Sequence, residues 1–117
     1  MTRHDDATRI RHMLEHAEEA VRLAAGRTRQ DLDADRTFNL AMTRLLEVVG
    51  EAAARVSQNY RDGRPQIPWS AIAGLRNRLI HGYDAVDFDI LWEIVRNDLP
   101  ALIPELQKAD DEIPPVQ

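Results

Sequence analysis

Apolar residues recur at intervals of three and four along most of this chain, which is the period of helices buried on one side. Ile10, Met13, Leu14, Ala17, Val21 and Ala24 form the first stripe, so a helix is expected over about 5–25, stopped by Gly26. Residues 26–34 are polar and read as a connector, with Asp31, Asp33 or Asp35 available to start the next helix. That helix should span about 35–59. It carries two adjoining stripes, one of Phe38, Ala41, Leu45, Val48, Ala52 and Val56, the other of Met42, Leu46, Val49 and Ala53. So wide an apolar face belongs to a helix central in a bundle, or to one that buries its surplus against another subunit. Gly50 inside it costs about 1 kcal/mol against alanine and points to close helix contact.

Residues 60–68 are turn chemistry, and Pro68 sits just ahead of a short helix expected over about 69–80 and ended by Gly82. Asp84 or Asp87 can cap a last helix whose stripe runs Phe88, Leu91, Val95, Leu99, Leu102 and Leu106, kinked or shortened by Pro100 and Pro104. No segment alternates like a strand. The expected architecture is an all-α, up-and-down bundle of about four main helices, one domain over 1–109 with a flexible tail over 110–117.

At 117 residues the chain supports one core. It has no cysteine, which excludes disulfides, thiolate zinc sites and cysteine nucleophiles. The polar N-terminus and the lack of a long apolar run lead to the expectation of a cytoplasmic protein, with no membrane attachment. The net charge of −5 argues against blanket nucleic-acid binding, but its distribution is uneven. Residues 52–83 carry five Arg against Asp62 alone, whereas 84–117 carry two basic against nine acidic side chains. An anionic ligand would be drawn to the positive segment.

That segment ends in Arg76-Asn77-Arg78-Leu79-Ile80-His81-Gly82-Tyr83, which gathers a fixed cation, a titratable imidazole and a phenol. Arginine holds phosphate oxygens with a rigid fork of donors, and histidine moves protons near neutral pH. Together they can break a phosphodiester without a metal. On an ideal helix Arg76 and His81 diverge by ~140°. They converge only if the helix unwinds near Gly82, or if a two-fold axis sets one chain's Arg76 beside the other's His81. A helix C-terminus at His81 would favour the protonated ring, and Arg78 would oppose it.

Each of these residues also has a plainer reading. Arg76 and Arg78 suit surface ion pairs with the acidic C-terminal third, and Glu51 suits a pair with Arg55. Trp69 and Trp92 suit core anchors. His12 and His16, spaced like metal ligands, lack a further ligand, and Asp31, Asp33 and Asp35 lack the rest of a calcium loop.

Arg76-x4-His81-x-Tyr83 resembles the signature of HepT-like toxins, a branch of the HEPN ribonuclease superfamily. Gly50-Glu51-Ala52-Ala53, Ile67-Pro68-Trp69 and the block from Ile94 to Pro100 resemble that family in the same order, so the likeness covers about residues 31–106. One departure is Leu45-Leu46, where many relatives carry an asparagine. The resemblance implies an all-α homodimer acting on RNA as a metal-independent ribonuclease without a cofactor, with Arg76 and His81 catalytic. It implies an MntA-type nucleotidyltransferase antitoxin as partner, silencing the toxin by transferring AMP to Tyr83. Glu51, Asn77 and Arg78 become candidates to line the site or bind RNA. The alternatives are a non-catalytic helical adaptor for a nucleotidyltransferase and a nucleotide-binding subunit without turnover.

Overall fold

The computed structural model describes residues 3–81 and 85–114, and these are all-α as the periodicity requires. Two long helices, α1 (Arg3–Ala24) and α3 (Arg36–Arg55), lie side by side. They run antiparallel, because Asp6 near the start of α1 bonds Ser57 just past the end of α3. Gly26 takes φ 75°, the left-handed conformation that ends α1 and that a side chain would resist.

The polar connector is itself helical: α2 (Arg29–Ala34) fills most of it. Its composition concealed this, since one buried residue, Leu32, and a set of ion pairs stand in place of an apolar stripe. Arg27 pairs with Asp31 at 3.4 Å and Asp35 at 2.9 Å, and Arg29 pairs with Asp33 at 2.9 Å. The alternating aspartates are thus spent on arginines. Asp35 is the start signal for α3, accepting the Phe38 N–H at 3.0 Å.

The helix expected over 35–59 breaks at Val56, which is extended, and a short α4 (Gln58–Asp62) follows with Ser57 as its cap. Arg61 folds back from α4 onto the carbonyls of Ala53, Ala54 and Val56, satisfying groups that α3 leaves orphaned at its end. Both stripes of α3 are buried within this one chain, apart from the half-buried Ala41 and Val48. The wide face therefore marks a central helix, and the double stripe by itself calls for no second subunit.

The helix expected over 69–80 is two five-residue pieces, α5 (Trp69–Ala73) and α6 (Leu75–Leu79), hinged at Gly74. The pair packs on α3 at Gly50, where an added Cβ would lie 3.1 Å from the Ile72 carbonyl oxygen. Trp69 is buried as a core anchor, its indole N–H donating to the Arg64 carbonyl at 3.0 Å, and Trp92 is half-buried beneath Arg96.

The last helix is one composite rod. It comprises α7 (Phe88–Glu93), a π-helical turn (Ile94–Asp98) and α8 (Leu99–Glu112). Pro100 and Pro104 do not end it. Pro100 falls in the first turn of α8, where a missing N–H costs least, and the turn before it is widened, with Leu99 N–H reaching the Ile94 carbonyl. The rod runs antiparallel to α1, since Asp110 pairs with Arg11 at 3.1 Å. Glu112 bonds Arg64, so residues 110–112, assigned to a flexible tail from the sequence, are ordered helix. No helix of the described residues is long and apolar enough to cross a membrane.

Candidate active site

The helix carrying the motif ends sooner than expected. α6 stops at Leu79, Ile80 is extended, and it forms an antiparallel bridge with Val86. His81 N–H donates to the Ala85 carbonyl and Asp87 N–H to the Leu79 carbonyl, each at 2.7 Å. His81 therefore stands on an extended, hydrogen-bonded arm rather than on the last helical turn. The 140° objection to a shared face, which assumed a continuous helix, lapses. Tyr83, the expected modification site, lies outside the described residues, as do Gly82 and Asp84.

Arg76, Asn77 and Arg78 are all exposed on α6. Arg76 keeps 66% of its side-chain surface, yet its Nε lies 3.4 Å from Glu47 Oε2 on α3. A carboxylate at Nε steadies the guanidinium and leaves amino groups for a second anion. Arg78 faces Asp98 of the π-helical turn at 3.6 Å, the surface pairing with the acidic C-terminal third that its plainer reading anticipates. Arg76 departs from that reading, because its carboxylate comes from α3. Asn77 has no hydrogen-bond partner among the described residues.

His81 is exposed, and its Nε2 faces Asp87 Oδ2 at 3.6 Å. Asp87 is fixed from three directions. Its backbone is held by the bridge, its Oδ1 accepts the Ile90 N–H at 3.1 Å as the cap of α7, and its Oδ2 is left for the imidazole. Of the two cap candidates Asp84 and Asp87, the structure shows Asp87 in that role.

Glu51 is exposed and meets Arg44 at 3.6 Å, not the Arg55 expected. Arg44 also lines an open cleft of about 310 Å³ that runs along α3 to the Ile80–Val86 bridge, with Glu47 on its wall. Sequence reasoning passed over Glu47, Asp87 as a histidine partner, and this cleft. The available signal for Glu47 was a carboxylate three residues from Arg44 and four from Glu51 on one helix. His16 Nδ1 donates to the His12 carbonyl one helical turn before it at 2.8 Å.

The family profile described as "Ribonuclease HepT-like" matches residues 13–109. A protein of Caldanaerobacter subterraneus subsp. tengcongensis named "Putative RNase" is 34% identical over 104 residues, covering 89% of each chain. One of Thermococcus cleftensis named "Probable ribonuclease HepT" is 35% identical over 99 residues, covering 81% of this chain and 90% of its own. No solved structure matches the chain.

Proposed function

The chain belongs to the HepT-like ribonuclease family, and from that membership and the geometry of α6 and its arm we propose that it is a metal-independent endoribonuclease. The observation that carries the reading is the pair of carboxylate-steadied, solvent-facing groups, Arg76 on Glu47 and His81 on Asp87. His81 takes the proton of a ribose 2′-hydroxyl, and the 2′-oxygen attacks phosphorus. Arg76 binds the nonbridging oxygens as charge gathers on them. The bond to the 5′-oxygen breaks, and a protonated His81 from a second copy of the chain supplies that oxygen with its proton. The products are a 2′,3′-cyclic phosphate and a 5′-hydroxyl. A homodimer is part of this reading because the step needs two imidazoles.

In the same reading the protein is the toxin of a type VII pair. An MntA-type nucleotidyltransferase transfers AMP from ATP to the Tyr83 hydroxyl with release of pyrophosphate, and the bulk and charge added two residues along the chain from His81 then block RNA.

The test is incubation of the purified, unmodified protein with RNA in the presence of a chelator, with products read by mass spectrometry. Cleavage to cyclic-phosphate ends, lost in Arg76→Ala and His81→Ala and absent on 2′-O-methyl RNA, supports the reading. If every class of RNA stays intact while Tyr83 still accepts AMP from the partner, the chain is a helical adaptor instead.

A further inference from the structure

The cleft along α3 opens beside both proposed catalytic groups. Glu47 stands on its wall and holds Arg76, and Ile80, also on its wall, directly precedes His81. One end of the cleft thus borders the place where a phosphate would sit. Its lining has two kinds of surface. Leu40, Ile80, Val86 and Phe88 are apolar, and Leu40, near the start of α3, remains 52% exposed. Arg36 and Arg44 supply charge. Arg36 has no acidic partner among the described residues, and Arg44 pairs with the exposed Glu51 at 3.6 Å.

An apolar wall with guanidiniums beside it matches the division of a nucleotide into a flat base and an anionic backbone. The volume is at the small end of the ~300–1,000 Å³ usual for small-molecule sites, so it suits one nucleoside and not a folded RNA. We propose that this cleft is the subsite for the nucleoside adjoining the scissile phosphate, its base against Leu40, Ile80, Val86 and Phe88 and its outer phosphate on Arg36 and Arg44. This rests on the ribonuclease reading for its substrate, and it adds the surface that holds the RNA in register with His81. Thr43, half-buried on the same wall, then sets how large a base the cleft admits.

The experiment uses His81→Ala protein, which binds without cutting, and a fluorescein-labelled single-stranded RNA followed by anisotropy over a salt series. Thr43→Tyr, which fills the cleft, is expected to weaken binding about tenfold, the loss of one base contact. Arg36→Ala, at an exposed position that does not endanger the fold, is expected to lower the slope of log affinity against log salt by about 0.7, one phosphate contact. Parent-like affinity and salt slope in both variants overturns the proposal. So does a Thr43→Tyr protein that changes its oligomeric state in sedimentation velocity, which would make the cleft a contact between copies of the chain. RNA that binds in the cleft but is never cut by the wild type sinks the nuclease reading and keeps only the nucleotide-binding part of this one. Cutting that is unchanged in Thr43→Tyr does the reverse.

Discussion

Asp87 ties the start of α7 to His81: its Oδ1 accepts the Ile90 N–H at 3.1 Å while its Oδ2 stands 3.6 Å from His81 Nε2. One side chain thus shares a structural duty with an electrostatic one. With Nε2 turned to the carboxylate, Nδ1 is the nitrogen left to meet a substrate hydroxyl.

The two duties of Asp87 separate by mutation, because asparagine caps a helix as well as aspartate but carries no charge. Asp87→Asn should melt like the wild type yet lose about 1.4- to fivefold in kcat, the value of an exposed ion pair of ~0.2–1 kcal/mol. Asp87→Ala should show that same loss and also be less stable by about 1 kcal/mol. Urea unfolding alongside RNA cleavage rates checks both, and an unchanged kcat in Asp87→Asn would remove the imidazole from the role of Asp87.

At Gly50 two effects of similar size compete. Alanine there gains about 1 kcal/mol of helix propensity, but its Cβ would meet the Ile72 carbonyl at 3.1 Å, so α5 must yield slightly. Gly50→Ala is expected to be close to neutral. Gly50→Val adds branched bulk against the same carbonyl and should cost about 2 kcal/mol, as overpacking does. It should also reduce cleavage more than its stability loss explains, since α5 and α6 carry Arg76. Thermal melts and kcat together test this, and a fully active, fully stable valine variant would contradict the close approach.

The helical period revealed the bundle because it is written in residues such as Met42, Leu46 and Val49, whose burial alone places them. Arg76 and His81 stood out in the sequence as candidates for chemistry, and Gly50 as a contact. The partners of the two motif residues were not. Glu47 and Asp87 lie 29 and six positions away in sequence, and folding alone brings them within reach. The helix in the connector and the end of α6 before Ile80 escaped detection for a related reason. In α2 a lone buried Leu32 and the pairing of Arg27 and Arg29 with aspartates replace a stripe, and in α6 the helix ends early because Ile80 finds a bridge to Val86, an event without a local signal.

Asp6 is among the few buried polar residues, 5% exposed, and it accepts hydrogen bonds from the Ser57 N–H at 2.8 Å and the Ser57 hydroxyl at 2.7 Å. It clamps the start of α1 to the junction of α3 and α4. Asp6→Ala leaves the half-buried Ser57 donors without their acceptor and should cost about 2 kcal/mol. Asp6→Asn, which keeps an acceptor, should cost less. Chemical denaturation ranks the three proteins, and an alanine variant as stable as the wild type would mean that water replaces the carboxylate at no cost.

The capping carboxylate of α3 carries a pH dependence of definite sign. The Phe38 N–H, and after it Arg27, hold the Asp35 carboxyl below the usual carboxylate range. The unfolded chain then takes up a proton more readily than the folded one at this position, so acid favours unfolding. The stabilisation is fully present above the unfolded value of about 3.9 and is lost as pH falls through the lower folded value. Asp35→Asn keeps the cap and removes the titration. Its stability should lie below the wild type at neutral pH, where the Arg27 pair at 2.9 Å is missing, and the two should converge as pH drops below about 4. Urea midpoints measured from neutral pH downward give the comparison. Curves that stay parallel across that range would show that the Asp35 proton plays no part in acid unfolding.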